Sequence, residues 1–393
     1  MKKQIKDVIS KEFKGLWGTD FSDDGIPVIK TNNMTYEGRI DFSDICIRNI
    51  PYEEAKINFL KKGDLIIEKS GGTKTHSVGY VNIFEGEDDK YVCNNFILPL
   101  RPNTDVVFPK YLFWQLHGMY EAGRFSDCFN KTTGIQNLQK KTYFSKDINV
   151  PSLSEQKSIA ASLDKIQTAI DNKKQQLSLL DEAVKSEFVE MFGENPVENG
   201  EWKIERLGDI CTVTSSKRIY AEEQSTTGIP FLRISDLISR INGDTTTELF
   251  IPEEKYIDFK NRNLVPKKDD ILVSSRGTLG LCYIIKEDDV FYFQDGMITW
   301  LSFENHVRIL SIFIDYLFRL VLQERINNKT NGATVKYLSI TDVKNLQIPV
   351  PPLDLQNQFA AFVQKIDKSK SLVKQQIANL QELLDSKMQE YFG

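Results

Sequence analysis

"VPSLSEQKSIAASLDKI" runs from Val150 to Ile166, and "VPPLDLQNQFAAFVQKI" from Val350 to Ile366. The likeness continues to the end of the chain, where "SEFVEMFG" (186–193) stands over "SKMQEYFG" (386–393). Laid together without a gap, 150–193 and 350–393 agree at about 17 of 44 positions, far beyond chance, and a fixed period marks a repeated structural unit. Weaker matches precede it in the same order. "GIPVIKTNNM" (25–34) resembles "GIPFLRISDL" (228–237), and "KKGDLIIEKSGGT" (61–73) resembles "KKDDILVSSRGT" (267–278). "KYLF" (110–113) resembles "DYLF" (315–318), and "NKTTG" (130–134) resembles "NKTNG" (328–332). The chain is one unit written twice.

The two parts of each unit read differently. The first mixes short β-rich runs, such as Asp64 to Ile67 and Asp270 to Val273, with Gly, Asn and Ser turns and one helix around "YLF". It reads as an α+β globular domain. The second part follows a proline stop, Pro151 or Pro351, and has no internal Gly or Pro. Its apolar residues step by fours and threes at Ile159, Leu163, Ile166, Ile170, Leu177, Leu180, Val184 and Met191, interrupted at Lys173 and Glu187. The other copy gives Phe359, Val363, Ile366, Val373, Ile377, Leu380, Leu384 and Tyr391, interrupted at Lys370 and Lys387. That is the seam of a coiled coil. One such helix could pack on its own domain, but two matched copies make each other's simplest partner. Short turns into the next domain favour an antiparallel pair, with domains at opposite ends in a dumbbell about a pseudo-two-fold axis. The expected segments are globular domains at 1–153 and 194–353, and helices at 154–193 and 354–393.

Composition excludes several classes. Of 393 residues, 40% are hydrophobic and 27% charged, an ordinary globular balance. No run approaches the roughly 18 apolar residues of a membrane span, and "MKKQIKDVISKEF" lacks the apolar core of a signal peptide, so a cytoplasmic protein is expected. The five cysteines are scattered without a C-x-x-C pair, and the three histidines (His76, His117, His306) are too few and too far apart for a metal centre. No phosphate loop, dinucleotide fingerprint or nucleophile elbow occurs. The only Pro-Pro, Pro351-Pro352, lacks the surroundings of an aminomethyl-transfer loop. The sequence does not read as an enzyme. The net charge of −5, with no strongly basic segment, means that any DNA binding uses locally placed cations or a partner's charge.

The loops that recur between the halves have suitable chemistry. They combine Lys or Arg with Ser, Thr and Gly, which allows close backbone approach and hydrogen bonds to phosphates or base edges. Candidate DNA contacts are Lys69, Ser70, Lys74, Thr75, Lys131 and Thr132 in the first half. In the second they are Arg233, Ser275, Arg276, Thr278, Lys329 and Lys336. Arg276 is the sharpest, because a guanidinium can grip a guanine edge with two hydrogen bonds.

The order of domain, "P-x-L-x-x-Q" helix, domain, "P-x-L-x-x-Q" helix, with Phe-Gly ends, resembles the DNA-specificity subunit of type I restriction–modification systems across essentially the whole chain. The resemblance implies two target-recognition domains, each reading half of a split double-stranded DNA sequence. It implies that the helices set the unread spacer and dock two methyltransferase subunits, with two motor-nuclease restriction subunits joining. S-adenosylmethionine would belong to the methyltransferase subunits, and this chain would bind no cofactor. Two departures stand out. Leu355 occupies the place of Glu155 beside the repeated glutamine, so the second helix start is expected to cap differently. The first half has no counterpart of "EWKIERL" (201–207), so its first strand is expected to be missing, supplied differently or encoded upstream of an alternative start. A coiled-coil scaffold that binds only proteins is the rival from another class, and a self-sufficient modification enzyme the third.

Overall fold

Leu65–Glu68 and Ile271–Ser274 are four-residue strands buried on both faces, and each is the middle of a sheet. The computed structural model describes residues 1–20, 25–73, 76–132, 135–303, 308–323, 326 and 337–393. The chain divides into two units. The first holds Met1–Lys174 and Lys374–Gly393, and the second Gln175–Val373.

In the first unit an antiparallel sheet runs Ile9–Glu12, Ile97–Pro102, Leu65–Glu68, Val81–Ile83. In the second, the order is Thr212–Thr214, Ile298–Ser302, Ile271–Ser274, Cys282–Ile284, again antiparallel. Leu65 faces Leu100 as Ile271 faces Leu301. Each unit also has a mixed three-stranded sheet. Ile26–Ile29 lies between Cys46–Arg48 and Val92–Cys93, and Ile229–Leu232 lies between Phe250–Ile251 and Tyr292–Phe293. The two halves therefore share topology as well as sequence order.

The first strand of the first unit is present. Lys2–Gln4 pairs antiparallel with Asp147–Asn149, as Lys203–Arg206 pairs with Gln347–Val350. Ile5 N–H then bonds the Lys146 carbonyl at 3.0 Å, and Leu207 N–H the Leu346 carbonyl at 2.9 Å. Backbone pairing rather than side-chain identity forms this strand, which is why "MKKQI" could replace "EWKIERL" unseen.

Four helices organise the rest: α1 (Pro109–Glu121), α2 (Leu153–Phe192), α3 (Ser311–Leu317, continued by a π-helical turn to Leu322) and α4 (Leu353–Phe392). Helices α2 and α4 are 40 residues each, about 60 Å at 1.5 Å per residue. They run antiparallel within each unit. In the first, the start of α2 (Leu163, Ile166, Ile170) shares a core with the end of α4 (Ile377, Leu380, Leu384, Phe392). In the second, the end of α2 (Val184, Phe188, Phe192) shares a core with the start of α4 (Phe359, Val363, Ile366). Val373 is buried, and Leu177 and Leu180 are half-buried. Lys370, which interrupts the seam, is ion-paired to Asp181 of α2 at 2.5 Å.

The glutamine of each repeated motif is fully buried and does the same work twice. Gln156 Oε1 accepts from Phe108 N–H at 2.7 Å, while its Nε2 donates to the carbonyls of Val106 (3.2 Å) and Pro151 (2.9 Å). Gln356 accepts from Leu310 N–H at 2.8 Å and donates to the carbonyls of Arg308 (3.1 Å) and Pro351 (2.8 Å). Each long helix is thus tied by its first turn to the residue just before α1 or α3. The starts do cap differently: Ser152 Oγ accepts from Glu155 N–H at 3.3 Å, whereas Pro352 offers no hydroxyl. The anchor is nonetheless unchanged.

This anchor also corrects one alignment. It makes Phe108 equivalent to Leu310, so Tyr111 corresponds to Phe313, three residues away from the "KYLF"/"DYLF" match. Packing agrees, since Tyr111 stacks edge-on against Phe392 (5.5 Å) as Phe313 does against Phe192 (4.8 Å). A three-residue slip keeps nearly the same helix face, so similar letters can recur out of register.

Truncating Gln356 to Ala leaves an N–H and two carbonyls unpaired in the core, which should cost about 2–4 kcal/mol. Amide hydrogen exchange should show the loss in Ser311–Leu317, and Gln156→Ala should show it in Pro109–Glu121 instead. Unchanged protection in both variants would contradict the anchor.

Candidate nucleic-acid interface

The buried central strand of each unit delivers its next residues to a surface loop. Asp64 and Asp270 open the strand identically, each accepting from the N–H three residues earlier (Lys61, 2.7 Å; Lys267, 2.9 Å). Both carboxylates are buried, and each has its own partner. Arg101 pairs with Asp64 at 2.7 Å, and Trp300 Nε1 donates to Asp270 at 2.8 Å.

Past the strand, Lys69 and Ser70 N–H both bond the Phe96 carbonyl, at 2.9 and 3.2 Å, and the Lys69 carbonyl accepts from Leu138 N–H at 2.8 Å. In the second unit, Ser275 N–H bonds the Met297 carbonyl at 2.9 Å, and the Ser275 carbonyl accepts from Leu338 N–H at 3.0 Å. The bonds of Lys69 recur at Ser275, which sets Ser70 at the place of Arg276. A third loop meets them. Gly15 lies so close that a Cβ would sit 2.3 Å from the Asn94 carbonyl oxygen, and Ser215 Oγ donates to the Ile298 carbonyl at 2.8 Å. Phe96, beside this junction, is 52% exposed, an unusual position for a large apolar side chain.

The candidate residues separate clearly. Arg276 is exposed and has no carboxylate partner among the described residues; one guanidinium nitrogen lies 3.7 Å from Met297 Sδ. Its backbone pairs with Tyr337. Thr278 is exposed, and its carbonyl accepts from Ser274 Oγ at 2.6 Å. Lys69 and Ser70 are half-buried at the loop base. Burial lowers the Lys69 ammonium from its ordinary value, and Lys140 adds to the effect. Ser275 is fully buried, with its hydroxyl bonded to Thr299 Oγ1 at 2.7 Å, which turns it into the core and away from any duplex. Arg233 precedes the helix Ile234–Ile241 and is held by Asp236 (3.1 Å) and Glu248 (3.6 Å); the Asp236 bond raises its guanidinium further. Lys131 and Thr132 lie on the strand Phe129–Thr132, opposite Gln136 and Ile135. Lys74, Thr75, Lys329 and Lys336 lie outside the described residues.

Sequence reading missed Asn137 and Tyr337, which pair with Ser70 and Arg276 across the loop. The alternation of "IQNL" was the available signal, since it turns Gln136 and Leu138 inward and leaves Ile135 and Asn137 exposed.

Comparison with known proteins follows this geometry. The family model for the type I restriction modification DNA specificity domain matches twice, over residues 1–182 and 199–382. The MjaIX type I restriction enzyme specificity subunit of Methanocaldococcus jannaschii is 24% identical, over 98% of this chain and 90% of that protein. The StySPI specificity subunit of Salmonella potsdam is 24% identical over 91% of this chain and 78% of its own length. Among solved structures, the type I S subunit from M. genitalium covers 100% of this chain and 96% of its own, with a TM-score of 0.59 at 17% identity. A second, solved in a study of complex assembly and conformational transition of the type I system, gives a TM-score of 0.56 at 15% identity. The chain belongs to the type I restriction–modification DNA-specificity family, and it is a non-catalytic, sequence-specifying subunit.

One titratable group sits directly under the loop after Leu65–Glu68. Glu68 is buried, and its Oε1 accepts a long bond, 3.3 Å, from Gly72 N–H. Burial raises its carboxyl above the ordinary glutamate value of 4.5, and the Gly72 bond offsets part of this. The folded unit therefore keeps a proton that the unfolded chain has already lost. Stability contributed here falls as pH rises from about 4.5 through the raised value. Glu68→Gln should remove that slope, so its melting temperature should gain on the parent's as pH increases across the window. A pH-independent difference would contradict the assignment.

Proposed function

We propose that each unit reads one half of a split duplex sequence, with target-recognition domains at residues 1–153 and 194–353. The helical segments 154–193 and 354–393 set the unread spacer and dock the partner subunits. The observation that carries this reading is the contrast between shared frame and unlike tips. The two units have the same strand order and loop bonding, yet present Lys69–Ser70 in one and Ser275–Arg276 in the other. One scaffold with two different contact sets reads two different half-sites.

The partners follow from the family. Methyltransferase and restriction subunits, two of each, would complete the complex on double-stranded DNA and supply the positive charge this chain lacks. S-adenosylmethionine would be held by the methyltransferase subunits. The expected setting is the cytoplasm; no helix among the described residues is long and apolar enough to cross a membrane. A protein-only scaffold finds no support in the family match.

Arg276 is the central contact of the second half-site: an exposed guanidinium with no acid to satisfy it among the described residues, on a loop tied at both ends. Coexpression with the methyltransferase subunit, followed by mapping of methylated adenines, gives the test. Arg276→Ala should relax one guanine position of one half-site, worth about 1–3 kcal/mol of discrimination, and leave the other half intact. A uniform fall in affinity at an unchanged sequence would make Arg276 a phosphate contact instead.

A further inference from the structure

We propose that Asn137, oriented by Ser70, is the adenine-reading side chain of the first unit, occupying the place in the loop frame that Arg276 and Tyr337 occupy in the second. This rests on the reading of the chain as a DNA-specificity subunit.

The frame is set by backbone. Ser70 pairs with Asn137 as Arg276 pairs with Tyr337, and the flanking bonds, Leu138 N–H to Lys69 and Leu338 N–H to Ser275, are the same. Asn137 lies on the middle strand of a three-stranded sheet, with Asn130 in register on its other side. The alternation of its strand exposes it, while Gln136 turns inward and bonds Val78 N–H at 3.1 Å and the Thr73 carbonyl at 3.3 Å. The row of exposed Asn130 and Asn137 with half-buried Ser70 carries hydroxyl and amide groups and no charge. In the second unit the corresponding place is cationic.

The hydrogen bonding of Asn137 is half used. Ser70 Oγ donates to its Oδ1 at 2.7 Å, which holds the amide oxygen toward Ser70. Among the described residues, one lone pair of Oδ1 and both Nδ2 hydrogens stay available. Adenine presents an N6–H donor beside the N7 acceptor in the major groove, and an asparagine amide matches that pair with two hydrogen bonds. Guanine presents two acceptors there, O6 and N7, so Oδ1 would face an acceptor and be repelled. Asn137 therefore discriminates, and Ser70 acts as its positioning residue.

The test uses the complex with the methyltransferase subunit. Methylated sequences are mapped for the parent, Asn137→Ala, Ser70→Ala and Arg276→Ala, with methylation rates on synthetic duplexes changed at one base pair at a time. Asn137→Ala should lose roughly tenfold to hundredfold preference at one A·T position, in the half-site that Arg276→Ala leaves alone. Ser70→Ala should weaken preference at that same position by a smaller factor. A lost preference in the Arg276 half, or an equal loss of rate on every duplex, would overturn the proposal. So would an unchanged sequence and rate. A parent complex that methylates no defined sequence would overturn the functional reading itself, and this assignment with it.

Discussion

A buried glutamine at the root of each long helix is the constraint on which the structure depends. Two hydrogen bonds of Gln156 hold α2 to the segment before α1 and a third closes on Pro151 ahead of α2; Gln356 likewise makes two to the segment before α3 and a third to Pro351. Amide groups suit this role because one side chain both donates and accepts, so it can close a backbone N–H and two carbonyls in the same small space. A rigid helix magnifies any error at its root. Over about 60 Å, a tilt of one degree moves the tip by about 1 Å. A protein whose proposed task is to set a spacing needs helix roots that do not rock, and a buried, fully bonded amide provides them better than apolar contact alone.

Beyond the roots, each unit separates what must stay from what must vary. The strand-opening aspartates Asp64 and Asp270 are retained, although one is ion-paired with Arg101 and the other accepts a hydrogen bond from the uncharged indole of Trp300. Either partner satisfies a buried carboxylate, so the turn survives a complete change of neighbour. At the far end of that strand the loop backbone is equally retained, while Arg276, Thr278 and Asn137 are exposed. That is where Ser70 can become Arg276, and Asn137 can become Tyr337, without cost to the fold.

Much of this was legible in the sequence, for physical reasons. The repeat, the helices and their seam follow from periodicity, which depends on residues a few places apart. Other features depend on groups far apart in the chain. Gln156 bonds residues 48 and 50 positions away, so the motif was visible while its work was not. Lys2–Gln4 forms a strand through its backbone and matches Lys203–Arg206 at no equivalent position. Ser275 resembles its loop neighbours in composition, yet its bond to Thr299 buries it. The slip between "KYLF" and "DYLF" arose because α3 and its π-helical turn repeat the same face with a different register.

The central claim is that the two globular parts read independently while the helices hold their spacing. The most direct measurement replaces residues 1–153 with the corresponding domain of another family member, retains everything from α2 onward, and maps the sequence methylated by the resulting complex. One half-site should change completely, while the other half-site and the number of unread base pairs between them stay as they were. A change in both halves, or in the spacing alone, would contradict the account.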